Sequence, residues 1–347
     1  MTSDPTEEGA EAPAQPDPDP DQGPTHPPPA RPGAPTFTIE GRASPALFVI
    51  GWLASLLGLA IAFAGILGGS RLLALFVGSG LLSLGLIAAC GNQAFERRAR
   101  GAPYAGPSPF LVFGTIVAIT YFIVPIVGTI LDLVVGSTVT LWPPLAQLIV
   151  ALVTAGIFIG AVRLTVVGTG ALSWTDMGFR AFGRRAFEDL AIGAAWAAPV
   201  VIVTALLGAA LIALFQVEPT SPLPPTGTTS GLLLQLIVGA VIAPVSEEIV
   251  FRGFAVTAWE RAIGPSRAVI RAALLFALAH VIGIETTDPG AIAGLLVVGF
   301  ATRLPVAWAL GTIFVQRRSI WAPIGLHATF NAILLILAHL AITAGAT

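Results

Sequence analysis

The sequence predicts an all-α polytopic integral membrane protein, with about 8–9 transmembrane helices behind a disordered N-terminal tail. Three observations carry that expectation. The chain is 55% hydrophobic and only 10% charged, with a mean hydropathy of +0.86, whereas soluble domains carry about 25% charged residues. Nine stretches are apolar over roughly the 20 residues that a helix needs to cross about 30 Å of hydrocarbon. Arginine recurs in alternate connections between those stretches, as the orientation rule for membrane proteins requires.

The tail comes first. Residues 1–40 hold eight of the nineteen acids (Asp4, Glu7, Glu8, Glu11, Asp17, Asp19, Asp21 and Glu40) and many prolines. Such a segment cannot bury a core, so residues 1–42 are expected to be a solvated, disordered cytoplasmic tail. Its acidic, polar start lacks the basic-then-apolar pattern of a signal peptide. Cys90 is the only cysteine, which excludes an intrachain disulfide and a thiolate metal cluster. All seventeen basic residues are arginine, a bias that says little about function.

The apolar stretches are 46–66, 72–90, 109–136 and 144–163, which form an N-terminal membrane region over 43–164, then 190–215, 231–257, 267–284, 290–316 and 320–343, which form a second region over 165–347. The eighth contains Arg303 and Pro305, and is read as one kinked helix or as a re-entrant piece joined to a helix. Arg97, Arg98 and Arg100 follow the second stretch; Arg180, Arg184 and Arg185 follow the fourth; Arg261 and Arg267 follow the sixth; Arg317 and Arg318 follow the eighth. The connections after the third, fifth and seventh contain none. This alternation places the N-terminus in the cytoplasm and the C-terminus outside. Segment 172–189 mixes aromatics with arginines, so it is expected to be either an interfacial helix on anionic headgroups or an ordinary basic loop.

Ionisable residues inside spans are costly, by about 2.5–3.5 kcal/mol on insertion scales, and usually face a cavity or a partner. The sixth stretch carries three of them in A-P-V-S-E-E-I-V-F-R-G-F, residues 243–254. Glu248 and Arg252 stand at i and i+4 with the acid first, the favourable order for an ion pair. Glu247 is rotated about 100° away and cannot share that geometry. Pro244 is expected to loosen the helix just upstream and make room for water. Taken alone, the cluster fits a structural ion pair as well as a catalytic one. Two histidines shift the balance. His280 follows Phe276 by four residues in F-A-L-A-H, and His327 precedes Asn331 by four in H-A-T-F-N. At ~1.5 Å per residue, Glu247, His280 and His327 lie roughly 15, 20 and 10 Å from the cytoplasmic face, which permits one shared cavity open to that side. His339, near the far end of the last span, is expected to be structural or interfacial.

The motifs E-E-x-x-x-R, F-x-x-x-H and H-x-x-x-N, in order on three late spans, together with R-R-S-I-W-A-P-I-G-L-H before the last of them, resemble the CPBP family, which includes the CAAX prenyl endopeptidases and bacterial Abi-type relatives. The resemblance covers roughly residues 165–343. It implies Glu247 as general base, His280 as a partner in binding and activating water, and His327 with Asn331 as the oxyanion site. Glu248, Arg252 and Phe276 would shape the site. The chemistry is sound, because a desolvated carboxylate near imidazole suits proton abstraction. A donor preorganised at a developing oxyanion is worth ~3–4 kcal/mol.

The resemblance thus implies an intramembrane endopeptidase acting on membrane-associated or CAAX-like peptides or membrane proteins. A catalytically idle membrane scaffold and a proton-coupled transporter using the same polar cluster are the competing readings. The metal question stays open at this point. Glu247, His280 and His327 are also an adequate zinc set with water in the fourth place, whereas a glutamate-activated water needs no metal. The sequence lacks the H-E-x-x-H of zincins, the G-x-G-D of intramembrane aspartyl proteases and the G-x-S-G of rhomboids. The expected partners are the lipid bilayer and a peptide substrate, with no nucleic acid, and the expected location is the plasma membrane. Deleting residues 1–40 is expected to leave intrinsic peptidase activity intact in a detergent assay; loss of activity would refute a dispensable tail.

Overall fold

Apolar chain in a bilayer has no water to satisfy its backbone, so each crossing must close its hydrogen bonds internally. The computed structural model shows that solution throughout. It describes residues 38–39, 42–43, 45–135, 144–217, 227–284, 286 and 288–345. The expected acidic tail, apart from a two-residue antiparallel pairing of Thr38–Ile39 with Arg42–Ala43, lies outside the described residues.

Nine helices follow among the described residues. We label them α1 (Ala46–Leu67), α2 (Phe76–Ala99), α3 (Pro109–Val134), α4 (Ala146–Val167), α5 (Arg184–Phe215), α6 (Thr229–Ile263), α7 (Pro265–Ala279), α8 (Ile292–Arg317) and α9 (Trp321–Thr343). All but α7 are long and apolar enough to cross a membrane, eight among the described residues. The protein is therefore an all-α, multi-pass membrane protein, as expected. α8 is one continuous helix with Pro305 inside it, which removes the re-entrant alternative.

One expectation needs correction, and one pair of alternatives is decided. The seventh stretch, 267–284, is not a full-length span: α7 has 15 residues, about 22 Å at 1.5 Å per residue. It starts at Gly264 with φ 84° and Pro265 in its first turn, and stops at His280, three residues before Gly283 with φ 90°. Both glycines sit in the region that favours glycine, and both break the helix. The chain nonetheless travels from one end of the bundle to the other here. Glu260, near the end of α6, pairs with Arg318, just past the end of α8, at 2.5 Å. Since α8 runs the other way over 26 residues, α7 and the turns after it must carry the chain to its far end. The pair of alternatives concerns 172–189, where the loop is found. Turns occupy it up to residue 183, and Arg184 already opens α5, so no interfacial helix forms. The turns are docked on protein instead. Met177 is fully buried, the Ile320 N–H donates to the Gly178 carbonyl at 3.0 Å, and the Trp321 indole donates to the Arg180 carbonyl at 3.2 Å. Asp176 pairs with Arg261 at 2.7 Å. Hydrogen bonds from the Ser173 N–H and hydroxyl, and the Arg261 guanidinium, hold the Asp176 carboxyl below its usual range. This latch is therefore fully formed above the usual carboxylate range and weakens as pH falls through the lowered value.

The core is built around α6. Every residue from Ile249 to Trp259 is buried, and a helix covered on all sides must sit inside the bundle. α4, α7, α8 and α9 surround it. α5 lies against α8 and α9, and its contact with α9 is close because both surfaces are glycine. A Cβ at Gly193 would strike the Ala322 carbonyl, and one at Gly325 would strike the Leu190 carbonyl. Small residues that let backbones approach are the usual means of helix association in lipid. Gly193→Ala is expected to cost about 1–3 kcal/mol through overpacking, seen as a lower melting temperature in detergent. Gly160→Ala on α4, where a Cβ meets nothing within 4 Å, should be neutral or stabilising; equal effects would contradict this packing.

Candidate active site

α6 is irregular where the site is built. Two wide-turn segments, Ile237–Ile242 and Ile249–Val256, flank the α-helical turn Ala243–Glu248. Such bulges are frequent at functional sites, and the first has a visible cause. Pro244 has no N–H to give to the carbonyls one turn before it. The Gly239 carbonyl takes its hydrogen bond from elsewhere, the Asn331 side-chain amide of α9, at 2.7 Å. This agrees with the expected loosening at Pro244 and adds its consequence: the released carbonyl fixes Asn331.

Consecutive residues on a helix point about 100° apart, and here that angle separates two glutamates. Glu248 points into protein and is 0% exposed, as is Arg252. Arg252 Nη1 donates to Glu248 Oε1 at 2.9 Å, the pair expected from their spacing. Arg252 Nη2 reaches the Ala307 carbonyl of α8 at 3.2 Å, and its guanidinium lies 4.5 Å from the Phe276 ring centroid. The same Glu248 oxygen is 2.7 Å from His327 Nδ1. A carboxylate only accepts, so Nδ1 carries the proton there.

Glu247 points the other way, into a cavity of about 1150 Å³ that is also lined by Phe276, His280, His327 and Asn331. Its Oε2 is buried without a hydrogen-bond partner, 3.9 Å from His280 Nε2 and 3.8 Å from His327 Nε2. Those gaps exceed a direct hydrogen bond and suit one bridging water. His280 Nδ1 is held by the Phe276 carbonyl at 2.8 Å. Both imidazoles thus have Nδ1 tied to an acceptor and turn Nε2 toward Glu247. The Phe276 ring stands between them, its centroid 4.3 Å from that of His280 and 5.7 Å from that of His327.

All four expected catalytic residues therefore meet in one cavity, with Glu248 and Arg252 behind it. His339 is not among the residues lining it. The metal test is negative: among the described residues no three of His, Cys, Asp and Glu are grouped to hold an ion, so Glu247, His280 and His327 as placed do not form a ligand set. Sequence reasoning did not place Thr204 of α5 or Arg303 of α8 among the residues lining the site. Arg303 was visible as a charge within a span, the signal that picked out Glu247, but it belongs to no motif.

Truncating Arg252 would leave the Glu248 charge buried without its cation. Arg252→Met is expected to lose about 3–5 kcal/mol of stability, and Arg252→Lys less, measured by thermal unfolding in detergent; a Met variant melting with wild type would contradict the arrangement.

The motifs, their order and now their convergence agree with the comparisons. No curated protein and no solved structure matches the chain significantly. Residues 229–333, which run from the start of α6 past Asn331 and so enclose Glu247, Glu248, Arg252, Phe276, His280, Arg303, His327 and Asn331 but not Thr204, match the family of Type II CAAX prenyl endopeptidase Rce1-like proteins, the group to which the CPBP resemblance pointed.

Proposed function

We propose that the protein is an intramembrane endopeptidase that hydrolyses peptide bonds of membrane-associated or CAAX-like substrates with a glutamate-activated water. The observation that carries this reading is the free Glu247 oxygen, set 3.9 and 3.8 Å from two imidazole nitrogens in a cavity large enough for a peptide segment. The Rce1-like match supports the protease function.

In the proposed reaction a water sits between Glu247 Oε2 and the two Nε2 atoms. Its oxygen attacks the scissile carbonyl carbon, and one of its protons passes to Glu247, the general base. His280 orients the water, its own ring fixed through Nδ1 by the Phe276 carbonyl. The carbonyl oxygen becomes an oxyanion and is met by Asn331, whose amide has one N–H on Gly239 and a second to give. For His327 to donate there from Nε2, its ring must carry both protons, because Nδ1–H is committed to Glu248. When the tetrahedral intermediate collapses, the C–N bond breaks and Glu247 returns the proton to the departing amine. Glu248, Arg252 and Phe276 hold His327 and His280 in place and take no proton. No step is routed through a metal.

The arginine alternation sets the proposed topology, with the N-terminus cytoplasmic, the C-terminus outside and the plasma membrane as the site of action. It is supported by the meeting of arginine-bearing ends at one side, through Asp176–Arg261, Asp189–Arg317 and Glu260–Arg318. The test is cleavage of membrane-associated peptides by purified protein beside its variants. Glu247→Ala, His280→Ala and His327→Ala are expected to lose about 10²–10⁴ in kcat, and Asn331→Ala about 10²–10³. Variants that cleave like wild type would refute the proposal. Chelation followed by zinc readdition should leave the rate unchanged, and zinc-dependent recovery would contradict the metal-free reaction.

A further inference from the structure

Arg303 lies near the middle of α8, about 16 Å along the helix from Ile292 at 1.5 Å per residue. A cation at such a depth is retained when it faces a partner or a pathway. The other arginine deep in this part of the bundle, Arg252, has its partner in Glu248. Arg303 pairs with no carboxylate among the described residues. Its recorded hydrogen bonds come only from Nη1, at 3.3 Å to the Gly299 carbonyl and 3.1 Å to the Thr302 hydroxyl, both on its own helix. Nε and Nη2, which together form the side-on fork of a guanidinium, make none there. That fork matches the two oxygens of a carboxylate.

The fork belongs to the catalytic cavity. Arg303 lines it with Glu247, His280, His327 and Asn331. Among the described residues Glu247 is the one carboxylate lining the cavity, and it lies beyond ion-pair distance from Arg303. A second polar group waits on the facing helix: Thr204 of α5 lines the same cavity and its hydroxyl oxygen is buried without a partner. α5 and α8 approach closely at this level, since a Cβ on Gly208 would meet Thr302 at 3.5 Å. The remaining lining is mostly apolar. The cavity thus offers an anion a cation and an unpartnered hydroxyl.

We infer that Arg303, aided by Thr204, binds a carboxylate of the peptide substrate and so sets which bond is presented to Glu247. The inference rests on the endopeptidase reading above and deepens it from peptide bond to anionic peptide. The carboxylate has two sources, the substrate's C-terminus and an Asp or Glu side chain, and the chemistry of the fork is the same for both. Arg303 is a specificity residue in this account and takes no part in proton transfer.

The experiment is equilibrium binding of fluorescent peptides to the full chain in detergent, carried in a Glu247→Gln background so that no cleavage intervenes. Four peptides of one sequence are compared, with the C-terminus free or amidated and one acidic side chain present or replaced by its amide. The expected result is about tenfold tighter binding for whichever carboxylate Arg303 holds. Arg303→Gln should abolish that preference while leaving the fully amidated peptide's Kd unchanged, and Arg303→Lys should keep part of it. Equal binding of all four peptides would overturn the inference, as would an Arg303→Gln loss shared equally by charged and neutral peptides. If Arg303→Gln fails to fold, the four-peptide comparison on the parent protein still decides. Cleavage by the Glu247 protein is scored separately: cleavage without carboxylate preference sinks this inference alone, whereas no peptide binding and no cleavage sink the endopeptidase reading with it.

Discussion

One oxygen atom organises the candidate site of this protein. Glu248 Oε1 receives Arg252 Nη1 at 2.9 Å and His327 Nδ1 at 2.7 Å, in a spot where neither glutamate nor arginine has any exposure. A buried ion pair is weak as a source of stability, because desolvation takes back most of the attraction. Its effect here is positional. Arg252 continues to the Ala307 carbonyl of α8 and over the Phe276 ring of α7, while His327 belongs to α9. Four helices are thereby registered at one level, and removing any partner leaves a charge that cannot reach water.

Glu247 has its freedom as a consequence. With Glu248 fixed toward the interior, the next residue back must point about 100° away, and there it meets a cavity and two imidazoles. Those imidazoles are equally constrained, one by Glu248 and the other by the Phe276 carbonyl. The same economy serves Asn331. Pro244 deprives a turn of α6 of a donor, and the Asn331 amide answers at Gly239. Backbone irregularity and side-chain placement are thus one feature, and His280, His327 and Asn331 are each held by a group that does not react.

What the sequence reveals of this arrangement follows from helical periodicity. Spacing of four residues predicts the Glu248–Arg252 pair and excludes Glu247 from it, and the structure agrees on both. Spacing also aligns Phe276 with His280. Periodicity describes one helix at a time, however. It cannot show that His327 donates to a residue 79 positions away, nor Asn331 to one 92 away, and both contacts are required for the site. Apolar length likewise suggests a full span at 267–284, but Gly264 and Gly283 bracket a shorter helix. The aromatics and arginines of 172–189 leave an interfacial helix and a basic loop equally open, and it is the burial of Met177 and the contact at Gly178 that decide for the loop. Arg303 escaped because no neighbour at helical spacing gave it a partner.

The central claim is that two adjacent glutamates do different work: Glu247 reacts and Glu248 orients. The most direct measurement compares Glu247→Gln with Glu248→Gln, recording single-turnover cleavage and melting temperature on the same preparations. The account predicts that Glu247→Gln melts with wild type and does not cleave, whereas Glu248→Gln melts lower and retains cleavage in the fraction that stays folded. Full cleavage by Glu247→Gln, or a Glu248→Gln protein that is as stable as wild type and inert, would contradict it.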